Sequence, residues 1–136
     1  TEENEIYKRP DVLKVLLKRV GKEPEVVEIK NNLVTKQELV GGLIEVVQYD
    51  DVIIICNEEG KVLGLPPNLI FELDYIAGDC FIVGDDYEHG DFKSLTDDEI
   101  RRYKKDLSDR GFKYKSEDDF IPSKEKERGE RMRGKA

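Results

Sequence analysis

The chain holds one histidine, His89, and two cysteines, Cys56 and Cys80, so nucleophilic chemistry of the usual kind has few places to arise. A thiol or hydroxyl nucleophile needs a base within hydrogen-bond reach, most often an imidazole. His89 lies in the polar stretch "YEHGD", whereas the cysteines lie in the apolar runs "VIIIC" and "DCFIV". A thiol in apolar surroundings stays protonated and reacts slowly, so a Cys–His enzyme is not expected. Four carboxylates, Asp85, Asp86, Glu88 and Asp91, crowd around His89 and form the cluster best placed to hold a divalent cation. They lack the alternating acids, central glycine and closing glutamate of an EF-hand loop, so a solvated acidic loop is expected, with no metal. Glu58 and Glu59 read as turn residues rather than as a general acid and base. Gly41-Gly42 follows a helical stretch instead of opening one, and Gly60 to Gly64 is not followed by the lysine and hydroxyl of a phosphate-binding loop. No cofactor is implied, and the expected protein is not an enzyme.

Surfaces then carry the functional reading. "LPPN", Leu65, Pro66, Pro67 and Asn68, reads as a rigid, low-entropy edge because the prolines fix φ. With the acidic 85–91 loop it is the expected partner-binding region. Net charge is −8, and residues 123–136 carry six Lys/Arg against three Glu, leaving −11 on residues 1–122. An acidic surface repels phosphate backbones, so direct nucleic-acid binding by the domain is not expected, and basic partners are. The alternative is a small-ligand or nucleotide-binding module, with a pocket formed by residues 57–68 and the 84–91 loop, across a homodimer interface in one version.

Elements that position these residues follow from the pattern of apolar runs. Only 38% of the 136 residues are apolar and 40% are charged, against ~45–50% and ~25% in ordinary domains. The length suits one core: a leader over 1–10, a single domain over 11–121, and a disordered, mixed-charge but net-basic tail over 122–136. Val12–Val20 and Glu25–Ile29 read as a hairpin. Thr35 with Glu38 has capping-box spacing for a short helix that Gly41-Gly42 stops. "LIEVVQY" and "VIIIC" read as strands joined at Asp50-Asp51, and "KVLGL" as a further strand that the prolines end, giving a meander.

"NLIFELDYIAG" reads as weakly helical at its start, "DCFIVG" as a buried strand and "DDYEHGDFKS" as an exposed loop. In "SLTDDEIRRYKKDLSDRG", Thr96 caps a helix, Glu99 completes its capping box, and Ile100, Tyr103 and Leu107 form one apolar stripe. The expected fold is α+β, a mainly antiparallel sheet of about five to six short strands packed by a short helix and a C-terminal amphipathic helix. No apolar run approaches the ~20 residues that span a bilayer, and "TEENEIYKRP" does not read as a signal peptide, so a cytoplasmic location is expected.

In order, "GGLIEVV", "NEEGKVLGLPPN", "IAGDCFIVGD" and "GDFKSLTDDEI" resemble a small domain family that carries only an unknown-function label and is common in phages, conjugative elements and gut Firmicutes. The resemblance covers approximately residues 12–107, and Asn57, Gly60, Pro66, Pro67 and Asn68 are its recurring features here. It implies no catalytic residue. It does imply a setting: an accessory protein of a mobile element that binds a host or element protein, in the host cytoplasm. In that setting a compact acidic domain fits an anti-CRISPR or antirestriction inhibitor, whose partner is a nucleic-acid enzyme with a basic groove.

Overall fold

"VLKVLLK" and "EVVEIK" are rich in Val, Leu and Ile, and in the computed structural model, which describes residues 6–114, they form an antiparallel hairpin. Its arms are β1 (Val12–Lys18) and β2 (Glu25–Lys30), and Leu13 faces Ile29 across the pair. The helix α1 (Leu33–Val40) follows. Asn32, not Thr35, is its N-cap: the Asn32 Oδ1 accepts a hydrogen bond from the Thr35 amide at 2.7 Å. The short asparagine side chain reaches that orphan amide three residues ahead, so the helix begins earlier than the Thr35–Glu38 spacing suggests. Gly41 ends it in the left-handed region, as expected.

β3 (Ile44–Tyr49) and β4 (Val52–Asn57) pair through the Asp50-Asp51 turn in unbroken register. Beyond Asn57 the expected meander fails. Residues 58–64 coil into successive turns, with Leu63 N bonded to Glu59 O at 2.8 Å and Leu65 N to Gly60 O at 2.9 Å. The prolines open a strand rather than end one, since a proline is tolerated at a strand's first residue. β5 (Pro67–Ile70) and β6 (Tyr75–Ala77) make a separate two-stranded sheet where a weak helix was expected.

β7 (Cys80–Asp86) returns to the main sheet between β1 and β4. Asp85 and Asp86 belong to this strand, and β8 (Asp91–Lys93) folds back onto it, so the expected acidic loop is a hairpin. The main sheet runs β2-β1-β7-β4-β3, with β8 on β7, and every pairing in it is antiparallel. This is the expected α+β architecture, closed by α2 (Asp97–Arg110).

Period-two alternation explains why "VIIIC" is apolar at every position. Ile54 and Cys56 face a layer made by α2 and the β5–β6 hairpin, where Leu69, Tyr103 and Leu107 are buried. Ile53 and Ile55 face the opposite layer, with Leu13, Phe81 and the α1 residue Val40. A strand covered on both faces shows a continuous run. The capping box of α2 is formed: Thr96 N donates to Glu99 Oε1 at 2.9 Å, and Glu99 N to Thr96 Oγ1 at 3.1 Å. Among the described residues, no helix is long and apolar enough to cross a membrane. Residues 1–5 of the leader, 115–121 of the domain and the 122–136 tail lie outside the described residues.

Candidate functional site

Asn68, expected at a partner-binding edge, is fully buried. Its amide donates to Lys18 O and Gly78 O, both at 2.8 Å, and its Oδ1 accepts from Lys18 Nζ at 2.8 Å. Pro66 is buried too and accepts from Gly78 N at 2.8 Å, while half-buried Pro67 accepts from the Tyr114 hydroxyl at 2.6 Å. Half-buried Leu65 lies so close to Gly78, φ 86°, that a Cβ there would meet its Cδ1 at 2.7 Å. "LPPN" is therefore a clasp joining β1, the β6–β7 corner and the end of α2. Asn68 presents no side-chain surface to a partner, because the buried Lys18 claims its carbonyl oxygen. Leu65 and Pro66 do border a groove of about 310 Å³ with Val40, Glu38 and Asp79.

The acids of the 85–91 hairpin are divided among local partners. His89 Nδ1 lies 2.9 Å from Asp86 Oδ2, and its ring stacks on Tyr7 with centroids 3.8 Å apart. Asp91 takes Arg9 at 3.2 Å and the Tyr7 hydroxyl at 3.1 Å. Asp85 is half-buried in β7, and Glu88 is exposed on the turn. Among the described residues no cluster has the make-up of a metal site. Asp91 moors Tyr7 and Arg9 to the hairpin, and none of the four acids lines the groove beside Leu65 and Pro66.

A larger depression lies elsewhere, between the β3–β4 pair and the β5–β6 hairpin. It has a volume of about 580 Å³. Val47, Ile54 and Cys56 form its floor, and Phe71, Ile76 and Ala77 its roof. Gly60 lets the 58–64 turns sit against that roof, since a Cβ there would come within 2.7 Å of the Ala77 carbonyl oxygen. Glu45, Glu58, Asp74 and Lys61 border the mouth, and Lys61 is paired with Asp74. Asn57, Glu58, Gly60, Lys61 and Val62 line it, whereas residues 63–68 and the 84–91 segment, which the ligand-module reading also named, do not.

β3 is also an open edge of the main sheet. Leu43 O accepts from Glu58 N at 2.8 Å, and the alternation of an antiparallel ladder then points the N–H and C=O of Ile44, Val46 and Gln48 away from β4. Val46 is half exposed, at 52%. Natural sheets blunt such edges with lysine, proline or bulges. "IEVVQY" carries none of these, and Glu45 is its only charge.

Both thiols are inert by environment. Burial pushes the Cys56 thiol up to about 11, and pushes fully enclosed Cys80 higher still. Two buried lysines are held by asparagines: Lys18 by Asn68, and Lys36 by Asn31 Oδ1 at 2.7 Å. Burial depresses both ammonium groups below the ordinary lysine value.

The fold and this surface define an α+β domain with buried thiols, an open edge at β3 and an apolar depression beside it. The chain belongs to the family described as a domain of unknown function, DUF3846, whose match spans residues 13–108. No curated protein and no solved structure matches the chain.

Proposed function

We propose that the protein is a non-enzymatic binding module that docks on a basic protein partner through the β3 side of its sheet. The observation that carries this reading is the unprotected β3 edge flanked by the exposed carboxylates of Glu45 and Glu58. An extended segment of a partner adds to such an edge by main-chain hydrogen bonds, and alternate side chains set its specificity. The net charge of −8 favours a basic segment over an acidic one. It also disfavours self-pairing of two copies, so a heterologous partner is the reading adopted over a homodimer.

In the setting of a phage or conjugative element, in the host cytoplasm, that partner is a nucleic-acid enzyme with a basic groove. The protein then acts as an anti-CRISPR or antirestriction inhibitor, occupying the groove in place of nucleic acid. The test is size-exclusion chromatography of the purified protein with purified CRISPR and restriction nucleases over a salt series. A stoichiometric complex that weakens steeply with salt supports the proposal. Failure to form a complex at low salt with any of them, or a complex indifferent to salt, contradicts it.

A further inference from the structure

Independently of any protein partner, we infer that the 580 Å³ cavity between the β3–β4 pair and the β5–β6 hairpin is a binding site for a small apolar organic cation. Its volume falls in the range of about 300–1,000 Å³ typical of small-molecule sites. Val47, Ile54 and Ile76 supply an apolar interior, and the Cys56 thiol adds no charge to the floor. Burying an apolar ligand body there is favourable, but any polar group it carries must stay at the mouth.

The mouth selects the sign of that group. Three carboxylates border the cavity, Glu45, Glu58 and Asp74, against the single ammonium of Lys61, which Asp74 already engages. Among the described residues, neither Glu45 nor Glu58 forms an ion pair. The Glu45 charge reaches the floor, where it helps keep the Cys56 thiol protonated after burial has done most of that work. Three carboxylates against one ammonium leave the mouth net negative, so a ligand cation would be attracted and an anion repelled. Nucleotides, whose phosphates would lie at this rim, are poor candidates. The aromatic residues of this region already hold cations against their faces, Arg110 at 4.7 Å from the Phe71 ring and Lys61 at 4.7 Å from Tyr75.

Two ions of one shape and opposite charge test the assignment. Isothermal titration of the full chain in sodium buffer, with tetraphenylphosphonium and then with tetraphenylborate, should give saturable one-site binding of the cation and little binding of the anion. Glu45→Gln with Glu58→Gln, both on the exposed rim, should weaken cation binding about tenfold with an unchanged melting temperature. Val47→Trp should fill the cavity and abolish binding, and amide NMR shifts caused by the cation should gather on residues lining the cavity. Equal or tighter binding of the anion, no binding of either ion, insensitivity to the paired Gln substitutions, or shifts centred elsewhere would each overturn the assignment. None of these outcomes bears on complex formation with a nuclease, so the two readings fail separately.

Discussion

The Lys18 ammonium donates to Asn68 Oδ1 at 2.8 Å, although 50 positions separate the two residues and both are buried. Among the described residues, no carboxylate forms an ion pair with Lys18, and its second acceptor is Arg19 O at 2.9 Å. Asn68 in turn satisfies the carbonyls of Lys18 and Gly78, so one amide fastens the centre of the sheet to the start of β5.

Asn68→Ala should therefore be severely destabilising. It takes one of two acceptors from a buried ammonium and the Asn68 amide from two carbonyls, and each orphaned group costs about 1–3 kcal/mol. A loss of about 3 kcal/mol or more in urea unfolding is expected, and Lys18→Met with Asn68→Leu should be much milder because both partners go together. If Asn68→Ala unfolds like the native chain, the clasp is unimportant.

Gly60→Ala should disturb the β5–β6 hairpin. The new methyl would meet the backbone carbonyl oxygen of Ala77 at 2.7 Å, and backbone cannot swing aside as a side-chain tip can. A cost of about 2 kcal/mol is expected, with amide NMR shifts concentrated in residues 60–77. Unchanged stability would show that the turn sits further from β6.

The β1–β2 and β3–β4 hairpins and the second helix were legible in the sequence because local signals agreed with tertiary packing. "VIIIC" is β-branched and buried on both faces, and Thr96 with Glu99 marks a helix start. What failed was settled at long range. Pro67 opens a strand only because the β6 arm pairs with it, and Asn68 is internal only because Lys18 arrives from β1. The cavity was missed with them. "LIF", "ELD" and "YIA" do form two apolar triplets around a polar one, a hairpin pattern that a helical reading of "NLIFELDYIAG" hides.

Alkaline stability should depend on two tyrosines. Burial, with the hydrogen bond to Asp106, pushes Tyr49 up to about 12 from its ordinary 10.0. Tyr103 is likewise pushed up to about 12 by burial and by its bond to Asp51. A group whose folded pKa is raised contributes stability that is complete below the unfolded value, so here it is present below about pH 10 and lost as pH rises towards about 12. Tyr49→Phe and Tyr103→Phe should each flatten the fall of urea stability between pH 10 and 12. An unchanged slope in both variants would mean that neither tyrosine titrates late.

Thiol labelling should be slow in the native state. Cys56 is pushed up to about 11, and Cys80 is 1% exposed, so neither is an available thiolate near neutral pH. Ellman's reagent should react with two thiols only after unfolding. Rapid reaction of one thiol in the folded chain would show that the β5–β6 hairpin lifts off β4.

The open β3 edge is the centre of the functional account, and Val46→Pro tests it most directly. The Val46 N–H points away from β4, so proline there leaves the β3–β4 ladder intact while removing a donor from the outer edge. The decisive measurement is the plating efficiency of a phage on cells whose CRISPR or restriction system targets it, with the protein expressed from a plasmid. The account predicts that the native protein restores plating and that Val46→Pro, equally folded by circular dichroism, does not. Full restoration by Val46→Pro, or none by the native protein in strains carrying either defence, would contradict it.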